Sequence, residues 1–273
     1  MRLFVFGLGY AARAVAAAAG APLLATTRDG RDGTIRFDDE AAVRAGLAAS
    51  THVLSSVPPD EAGDPVLDRY EEALAGRWLG YLSSTGVYGD VGGAWVDENA
   101  AADCGRRPLR NRADAAWMAL GARVFRLPGI YGPGRSPLTR VASGAAHRTG
   151  VAGQVFSRVH VADLARGVVA GFDAPAGAYN LADDLPAAQD DVVAYAARLL
   201  GIAPPPIVPL EQLSLAARGF HAENRRVANG KAKRVLNWQP QFPDYRAGLR
   251  ALSATTSPTA ASPAPAAASS VQR

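Results

Sequence analysis

The first residues of the chain have the types and spacing of a phosphate-binding turn. An apolar run, LFVF, predicts a buried strand directly before Gly7, and an alanine-rich run at 11–19 predicts a helix. Gly7, Gly9 and Ala12 join the two elements as Gly-x-Gly-x-x-Ala, with Tyr10 inside the turn. The first glycine allows a sharp turn, the second lets a pyrophosphate approach the backbone, and the alanine lets the helix pack closely on the strand. Because a helix start also offers free N–H groups to phosphates, the turn predicts a dinucleotide site that includes these four residues.

The end of the second predicted strand indicates which dinucleotide binds. That strand lies at 23–27 and is followed by Arg28. Folds that bind NAD place an acidic residue here for the ribose 2′-OH, whereas an arginine accommodates the 2′-phosphate of NADP. Asp29 comes one position later, where it is less well placed for the 2′-OH. We therefore expect NADP as the cofactor, with NAD as the alternative.

Strands and helices alternate through the first half of the chain. Predicted strands lie at 3–6, 23–27, 35–38, 51–57, 78–84 and 123–127, with helices at 11–19, 41–49, 67–74 and 113–120. Such alternation predicts right-handed βαβ units and a parallel sheet with helices on both faces. The expected fold class is therefore α/β, a Rossmann-type doubly wound parallel sheet with a small C-terminal substrate lobe.

The alternation loosens after residue 133, which suggests where the lobe lies. We expect a single NAD(P)-binding domain over 1–252, with the substrate lobe formed from about 133–158 and 176–252. Asp163 is expected to cap a helix in this half of the chain. The stretch 253–273 is rich in Ser, Thr, Pro and Ala without periodicity, so we expect a disordered tail.

Composition and charge exclude several classes of protein. The chain has 273 residues, of which 48% are hydrophobic and 20% charged, as in ordinary globular proteins. A single cysteine, Cys104, excludes an internal disulfide and a thiolate cluster, and the four histidines are scattered, so no metal site is expected. No apolar run reaches the roughly 18–20 residues that span a bilayer. The arginines are spread along the chain rather than grouped in one basic block. We expect a cytoplasmic protein with a small-molecule substrate and neither a membrane nor a nucleic-acid partner.

Four later segments resemble segments of one protein superfamily. They are, in order, 81–89 (YLSSTGVYG), 126–135 (RLPGIYGPGR), 158–165 (RVHVADLA) and 179–183 (YNLAD). Each is similar to a segment of the extended short-chain dehydrogenases/reductases, and together with the glycine turn they span the chain to about residue 252. With its Gly-x-Gly-x-x-Ala turn, the chain resembles an atypical, NAD-dependent epimerase/dehydratase-like member of that superfamily.

The resemblance implies roles for several residues near the strand ends. Asp38 resembles the acidic residue that contacts adenine in the family. Ser84 stands at the position of the family's catalytic Ser or Thr. Ser55 and Ser56 end the fourth predicted strand and are expected to line the pocket of the nicotinamide ribose, because ligands bind beyond strand carboxyl ends.

One part of the family's catalytic equipment is missing from this chain. The family carries a Tyr-x-x-x-Lys pair in which the tyrosine is the general acid/base and the lysine lowers its pKa. The corresponding stretch, 106–114 (RRPLRNRAD), has neither, and Arg106 and Arg110 stand at the two positions. An arginine stays protonated and cannot replace the tyrosine's proton chemistry, although Arg110 can hold a ribose or phosphate. Tyr88 and Tyr131 are the candidates to replace the missing tyrosine.

These observations leave two hypotheses about function. The first is an NAD(P)-dependent oxidoreductase or epimerase/dehydratase-like enzyme that acts on a small polar substrate, a nucleotide-sugar among the candidates. Its predicted catalytic residues are Ser84, Tyr88 and Arg110. The second is a redox-silent NADP-binding sensor or scaffold, which the missing pair favours. Substrate identity and oligomeric state, a homodimer included, stay open at this point.

Overall fold

The computed structural model describes residues 1–255, apart from the side chain of Ala216. The strands are β1 (Leu3–Phe6), β2 (Leu23–Thr27), β3 (Ile35–Arg36), β4 (His52–Ser55), β5 (Trp78–Ser84), β6 (Trp95–Val96), β7 (Arg123–Leu127), β8 (Gly129–Tyr131), β9 (Arg158–His160), β10 (Gly177–Asn180) and β11 (Arg226–Val227). The α-helices are α1 (Tyr10–Ala19), α2 (Glu40–Ala48), α3 (Pro65–Tyr70), α4 (Pro108–Ala119), α5 (Pro137–Ala142), α6 (Val161–Ala170), α7 (Gln189–Leu199), α8 (Leu215–His221), α9 (Gly230–Val235) and α10 (Tyr245–Thr255).

The central element is a parallel sheet of seven strands in the order β10-β7-β5-β4-β1-β2-β3. The strand order reverses beside β1, which is where a doubly wound sheet opens a crevice for a ligand at its carboxyl edge. The predicted α/β, Rossmann-type fold is therefore confirmed.

Alternation along β1 explains the two layers of helices. Leu3 and Val5 pack with α1 and α6 on one face of the sheet. Phe4 and Phe6 pack with α2, α3 and α4 on the other face. Because successive side chains of a strand point to opposite faces, the sequence of a strand that is buried on both faces is a continuous apolar run. The crevice at the end of β1 therefore lies beside a strand that is packed by helices on both faces of the sheet.

The smaller lobe has an apolar core of its own, in which Tyr131 packs with α5, α7 and α10. Two short parallel sheets, β8 with β9 and β11 with β6, connect it to the main sheet. The predicted lobe boundary at 176 needs one correction, because Gly177–Asn180 pairs with β7 as the edge strand of the main sheet. The predicted tail begins at 253, but α10 continues to Thr255, and 256–273 lie outside the described residues.

Two further predictions about helices differ from the structure. Helix α4 begins at Pro108, earlier than predicted, because a proline at the first helical position fits a helix start. The cap of α6 is His160, whose Nδ1 accepts the amide of Ala162 at 3.2 Å. Asp163 instead accepts backbone N–H groups of the segment 241–242, and so it fastens that segment to α6.

Candidate cofactor and substrate site

The glycine turn after β1 adopts a backbone conformation that requires glycine. Gly7 has a φ of +78°, and a Cβ there would lie 3.0 Å from Val57 Cγ2 and 3.2 Å from Ser56 Oγ. Its amide donates to Thr26 Oγ1 at 3.2 Å, and its carbonyl accepts the hydroxyl of Ser56. The turn is therefore held from β2 and from the end of β4, as a preformed phosphate site needs.

The start of α1 is open to a ligand. Gly9 is the residue before the helix, and no side chain caps the helix there. A Cβ placed on Gly9 would meet nothing within 4 Å, so empty space lies over the turn. Ala12 is buried in the core beside β1, which brings the helix close to the strand. Free N–H groups, the positive end of the helix dipole and open space together fit a pyrophosphate.

Arg28 follows β2 with its guanidinium unpaired. It is exposed, and no carboxylate or carbonyl within residues 1–255 accepts a hydrogen bond from it. Nearby arginines are neutralised by aspartates, in the pairs Arg13–Asp32, Arg31–Asp29 and Arg36–Asp38. Among residues 1–255, Arg28 is thus a cation at this edge that has no carboxylate partner and is available to an anionic ligand.

Asp38 and Tyr10, both predicted to contact cofactor, have protein partners of their own. Asp38 accepts Arg36 Nε at 3.1 Å and Arg36 Nη2 at 2.9 Å, and these hydrogen bonds lower the pKa of its carboxyl group. The hydroxyl of Tyr10 donates to the carbonyl of Pro133 at 3.0 Å, and Arg135 lies over its ring. Tyr10 therefore connects the glycine turn to the loop after β8. Contact of Asp38 and Tyr10 with a cofactor stays a prediction.

The ends of β4 and β5 bring three predicted serines to the same edge of the sheet. Ser55 is buried and its Oγ accepts the amide of Val57 at 3.4 Å, while Ser56 holds the glycine turn. Ser84 is half-buried at the end of β5, and its Oγ accepts the amide of Gly86 at 3.1 Å. This contact caps a turn of 3-10 helix and fixes the hydroxyl oxygen, while its proton has no acceptor among residues 1–255.

Tyr88 lies inside the protein rather than in the crevice. Its side chain is 1% exposed, and its hydroxyl pairs with Asn180 Oδ1 at 2.8 Å and with Arg126 Nη1 at 3.1 Å. Arg126 also forms a buried ion pair with Asp114 at 2.7 Å, and Asp114 accepts the hydroxyl of Ser83. The network ties β5, β7, β10 and α4 together.

This environment argues against Tyr88 as the acid/base group. Burial raises the pKa of Tyr88, and a proton donor must reach its substrate. Burial opposes the charge of Arg126, but its hydrogen bonds and charge interactions with Asp114 and Tyr88 together outweigh that effect and raise the pKa of the guanidinium. The Arg126 guanidinium therefore stays charged at physiological pH, and its hydrogen bond holds the Tyr88 hydroxyl in place.

Tyr131, the other candidate to replace the missing tyrosine, is also enclosed. It is 5% exposed, and its hydroxyl has no hydrogen-bond partner among residues 1–255. A Cβ on Gly248 would overlap this hydroxyl, so α10 closes over it. Burial raises the pKa of Tyr131, and the residue forms part of the core of the lobe.

Arg110 lies close to β5, as its predicted role requires. Its Nη1 donates to the hydroxyl of Tyr81 at 3.0 Å, and Tyr81 stacks on Trp117 with ring centroids 5.3 Å apart. Burial raises the pKa of Tyr81 to about 12, so this phenol stays neutral and only orients the arginine. Contact of Arg110 with a ribose or phosphate stays a prediction.

A pair of residues that the sequence did not single out joins Arg106 at the end of β5. Glu223 accepts Arg106 Nε at 2.9 Å and Arg225 Nη1 at 2.8 Å. Arg225 also donates to the carbonyl of Gly89, in the turn that follows Ser84. Because 117 positions separate Arg106 from Glu223, no motif indicates this contact.

Residues 1–255 were found to contain neither a metal-binding cluster nor a membrane-spanning helix. Within residues 1–255, no three His, Cys, Asp or Glu side chains are grouped so that they could hold a metal ion. None of the helices in that range is both long and apolar enough to cross a membrane.

Comparison with known proteins places this geometry among characterised folds. No protein-family model matches the chain. A curated relative, the 3-diazoavenalumate denitrifying reductase of a Streptomyces species, is 30% identical over 141 residues, which cover 48% of this chain and 46% of that protein. The matched region is thus about half the length of the relative.

Solved structures match over nearly the whole chain. A conserved protein of unknown function from Silicibacter pomeroyi is 39% identical, with a TM-score of 0.81 and coverage of 93% of this chain and 98% of that one. The human epimerase family protein SDR39U1 with NADPH is 17% identical, with a TM-score of 0.75 and coverage of 93% and 99%. The dTDP-glucose 4,6-dehydratase of Bacillus anthracis in complex with NAD is 15% identical, with a TM-score of 0.74 and coverage of 93% and 96%.

The first match shows common family membership, and the other two show the fold. The chain therefore belongs to the same family as the conserved Silicibacter pomeroyi protein, and it has the fold of the NAD-dependent epimerase/dehydratase proteins of the short-chain dehydrogenase/reductase superfamily.

Proposed function

We propose that the protein is an NADP-dependent oxidoreductase that acts on a small polar substrate beside the end of β5. The observation that carries this proposal is the open, uncapped start of α1 at Gly9, with the unpaired Arg28 at the same edge of the sheet. The curated Streptomyces relative is named as a reductase, and the structural neighbours bind NADPH or NAD, which supports the same chemistry.

Several residues would hold the dinucleotide. Gly7, Gly9 and the first amides of α1 would bind the pyrophosphate, and Arg28 would pair with a 2′-phosphate. Ser55 and Ser56 end β4, where the nicotinamide ribose binds in this type of fold. When bound, the nicotinamide supplies or accepts a hydride.

Ser84 is the group that orients the substrate in this proposal. Its Oγ is fixed by the amide of Gly86, and its proton is free to form a hydrogen bond to a reacting oxygen or nitrogen. No tyrosine or lysine occupies the family's acid/base position, where Arg106 and Arg110 stand, and an arginine cannot replace the proton chemistry of a tyrosine. The proton that accompanies the hydride therefore comes from solvent, and the substrate is one whose reduction does not need a strong general acid.

Consumption of NADPH tests this function. The full chain is incubated with NADPH and a panel of small carbonyl, imine and nucleotide-sugar substrates, and the nicotinamide absorbance is followed. Substrate-dependent loss of NADPH is expected, and Ser84→Ala should lower its rate by a factor of about 100–1,000, the usual range for loss of one hydrogen-bond donor to the reacting group. Tight NADPH binding without reduction of any substrate would support the second hypothesis, a redox-silent NADP-binding sensor.

Cofactor preference gives a separate test that needs no substrate. Arg28→Ala should weaken NADP binding by about 10- to 100-fold, because a hydrogen bond to a charged group contributes about 1.5–3 kcal/mol. Binding of NAD should change little, since NAD lacks the 2′-phosphate. Isothermal titration measures both affinities. Arg44→Ala is the matched control, because Arg44 is an exposed arginine paired with Glu40 on α2. Equal losses for the two cofactors would contradict the assignment of Arg28.

A further inference from the structure

Two arginines share one carboxylate beside Ser84, which leaves a surplus of positive charge. Arg106 Nε lies 2.9 Å from Glu223 Oε1, and Arg225 Nη1 lies 2.8 Å from Glu223 Oε2. Burial favours protonation of Glu223, but the hydrogen bonds from Arg225 and from the Arg106 amide outweigh it and lower the pKa of the carboxyl group. Asp90 is the other carboxylate that acts on Arg225, and it lies at the surface with two backbone N–H groups bound to it.

The remaining donors of the two guanidinium groups are unpaired and lie around the turn after β5. Neither Nη group of Arg106, nor Nη2 of Arg225, donates to an acceptor in residues 1–255. Nη2 of Arg225 lies 4.0 Å from the place of a Cβ on Gly86, the residue whose amide fixes Ser84 Oγ. The two arginines are thus fixed by Glu223 and still have free N–H groups beside the predicted substrate position.

An aromatic surface adjoins the same arginines. Arg106 Nη1 packs against Gly219 in α8, and the next residue, Phe220, stacks on Phe156 with ring centroids 4.6 Å apart and planes 13° apart. Phe220 is 52% exposed, although a large apolar side chain gains by burial. A flat apolar group could cover this ring while its anionic end reaches the arginines.

We propose that Arg106 and Arg225 bind a carboxylate of the substrate, and that Phe220 packs against its planar apolar part. This proposal rests on the proposed function, because it assigns the substrate of the same site. Arginine binds a carboxylate through two parallel N–H donors, which the free Nη groups can provide. The charge balance favours an anion, since the two guanidinium groups share one buried carboxylate, and Asp90, the other carboxylate that acts on Arg225, lies at the surface, where solvent and salt screen it. Arg106 occupies the family's tyrosine position, so a binding residue stands where the family has an acid/base group.

Binding of matched probes to the full chain tests the proposal without turnover. Benzoate, methyl benzoate and phenyl phosphate are titrated into the NADP-saturated protein, with affinity measured by ligand-observed NMR. Benzoate should bind at least about tenfold more tightly than its uncharged ester. Arg106→Gln and Arg225→Gln should each weaken benzoate binding by about tenfold or more and leave the ester unchanged. Equal affinity for acid and ester would overturn the proposal, and so would a preference for phenyl phosphate over benzoate.

Two controls keep the outcome interpretable. Arg112→Gln removes an exposed arginine from the same helix, α4, and should leave benzoate binding unchanged. NADP affinity, measured for every variant, should match that of the wild type, which shows that the variants fold. Arginine-dependent benzoate binding without NADP binding would refute the proposed function alone. Normal NADP binding without arginine-dependent benzoate binding would refute the carboxylate site alone.

Discussion

Asp183 is a carboxyl group enclosed in the protein, just after β10. The residue is 2% exposed, and neither carboxyl oxygen has a hydrogen bond of normal geometry from residues 1–255. The backbone amide of Leu185 lies near enough to favour the charged form of the carboxyl group. Arg158 is the buried cation in this region, and it donates to backbone carbonyls and to Gln189 instead of Asp183. Burial therefore dominates and raises the pKa of Asp183 to about 8.

The shifted pKa of Asp183 predicts how stability depends on pH. In the unfolded chain the group ionises near its ordinary pKa of about 3.9. From about pH 4 to about pH 8 the folded protein keeps a proton that the unfolded chain has lost, so the free energy of unfolding falls as pH rises through this range. Asp183→Asn should therefore be more stable than the wild type at high pH, by up to about 5 kcal/mol, and nearly equal to it at low pH. Urea unfolding across this range measures both values.

An aspartate outside the core provides the control for that experiment. Asp191 is exposed on α7, and Asp191→Asn should change stability by only a few tenths of a kcal/mol at any pH. A difference between Asp183→Asn and the wild type that does not grow with pH would contradict the assignment.

Helix α1 combines a tightly packed body with an open start, and the two properties can be separated by mutation. Gly9 has a φ of −88°, which other residues adopt, and a Cβ there meets nothing within 4 Å. Gly9→Val should therefore cost no more than about 1 kcal/mol of stability. Its side chain would occupy the space over the turn, so we expect NADP affinity to fall by at least about tenfold.

Thermal unfolding and NADP titration of the same samples check this prediction. Ala17→Val adds the same type of side chain to an exposed position of α1 away from the turn, and NADP affinity should not change. If Gly9→Val bound NADP as well as Ala17→Val does, the pyrophosphate would not lie over this turn.

Long, apolar elements could be predicted from the sequence, and short or polar ones could not. Trp78–Ser84 and Arg123–Leu127 have the predicted bounds, because a strand buried on both faces has an apolar run with distinct ends. The first turns of α4 are rich in arginine and lack apolar periodicity, so the sequence does not indicate Pro108 as the start of the helix. Strands β6 and β11 have two residues each, too few for any pattern.

At the scale of the whole molecule, the two parts of the candidate site differ in how far the sequence could predict them. The turn residues at Gly7 and Gly9 lie within one βα unit, and their spacing alone indicates a phosphate site. Glu223 and Arg225 reach Arg106 only because the chain returns from the lobe to the main sheet. Contacts over such distances depend on the complete fold, which local spacing does not encode.

The pairing of β11 with β6 has a consequence for how members of this family can diverge. Val227 pairs with Val96, and this short ladder holds the segment that carries Glu223 and Arg225 against the end of β5. The seven strands of the main sheet and the glycine turn do not include that segment. Substitutions or length changes at 213–226 can therefore alter which compound is accepted while the nucleotide-binding half keeps its structure. Natural selection, or a directed-evolution library confined to those positions, could change selectivity without rebuilding the fold.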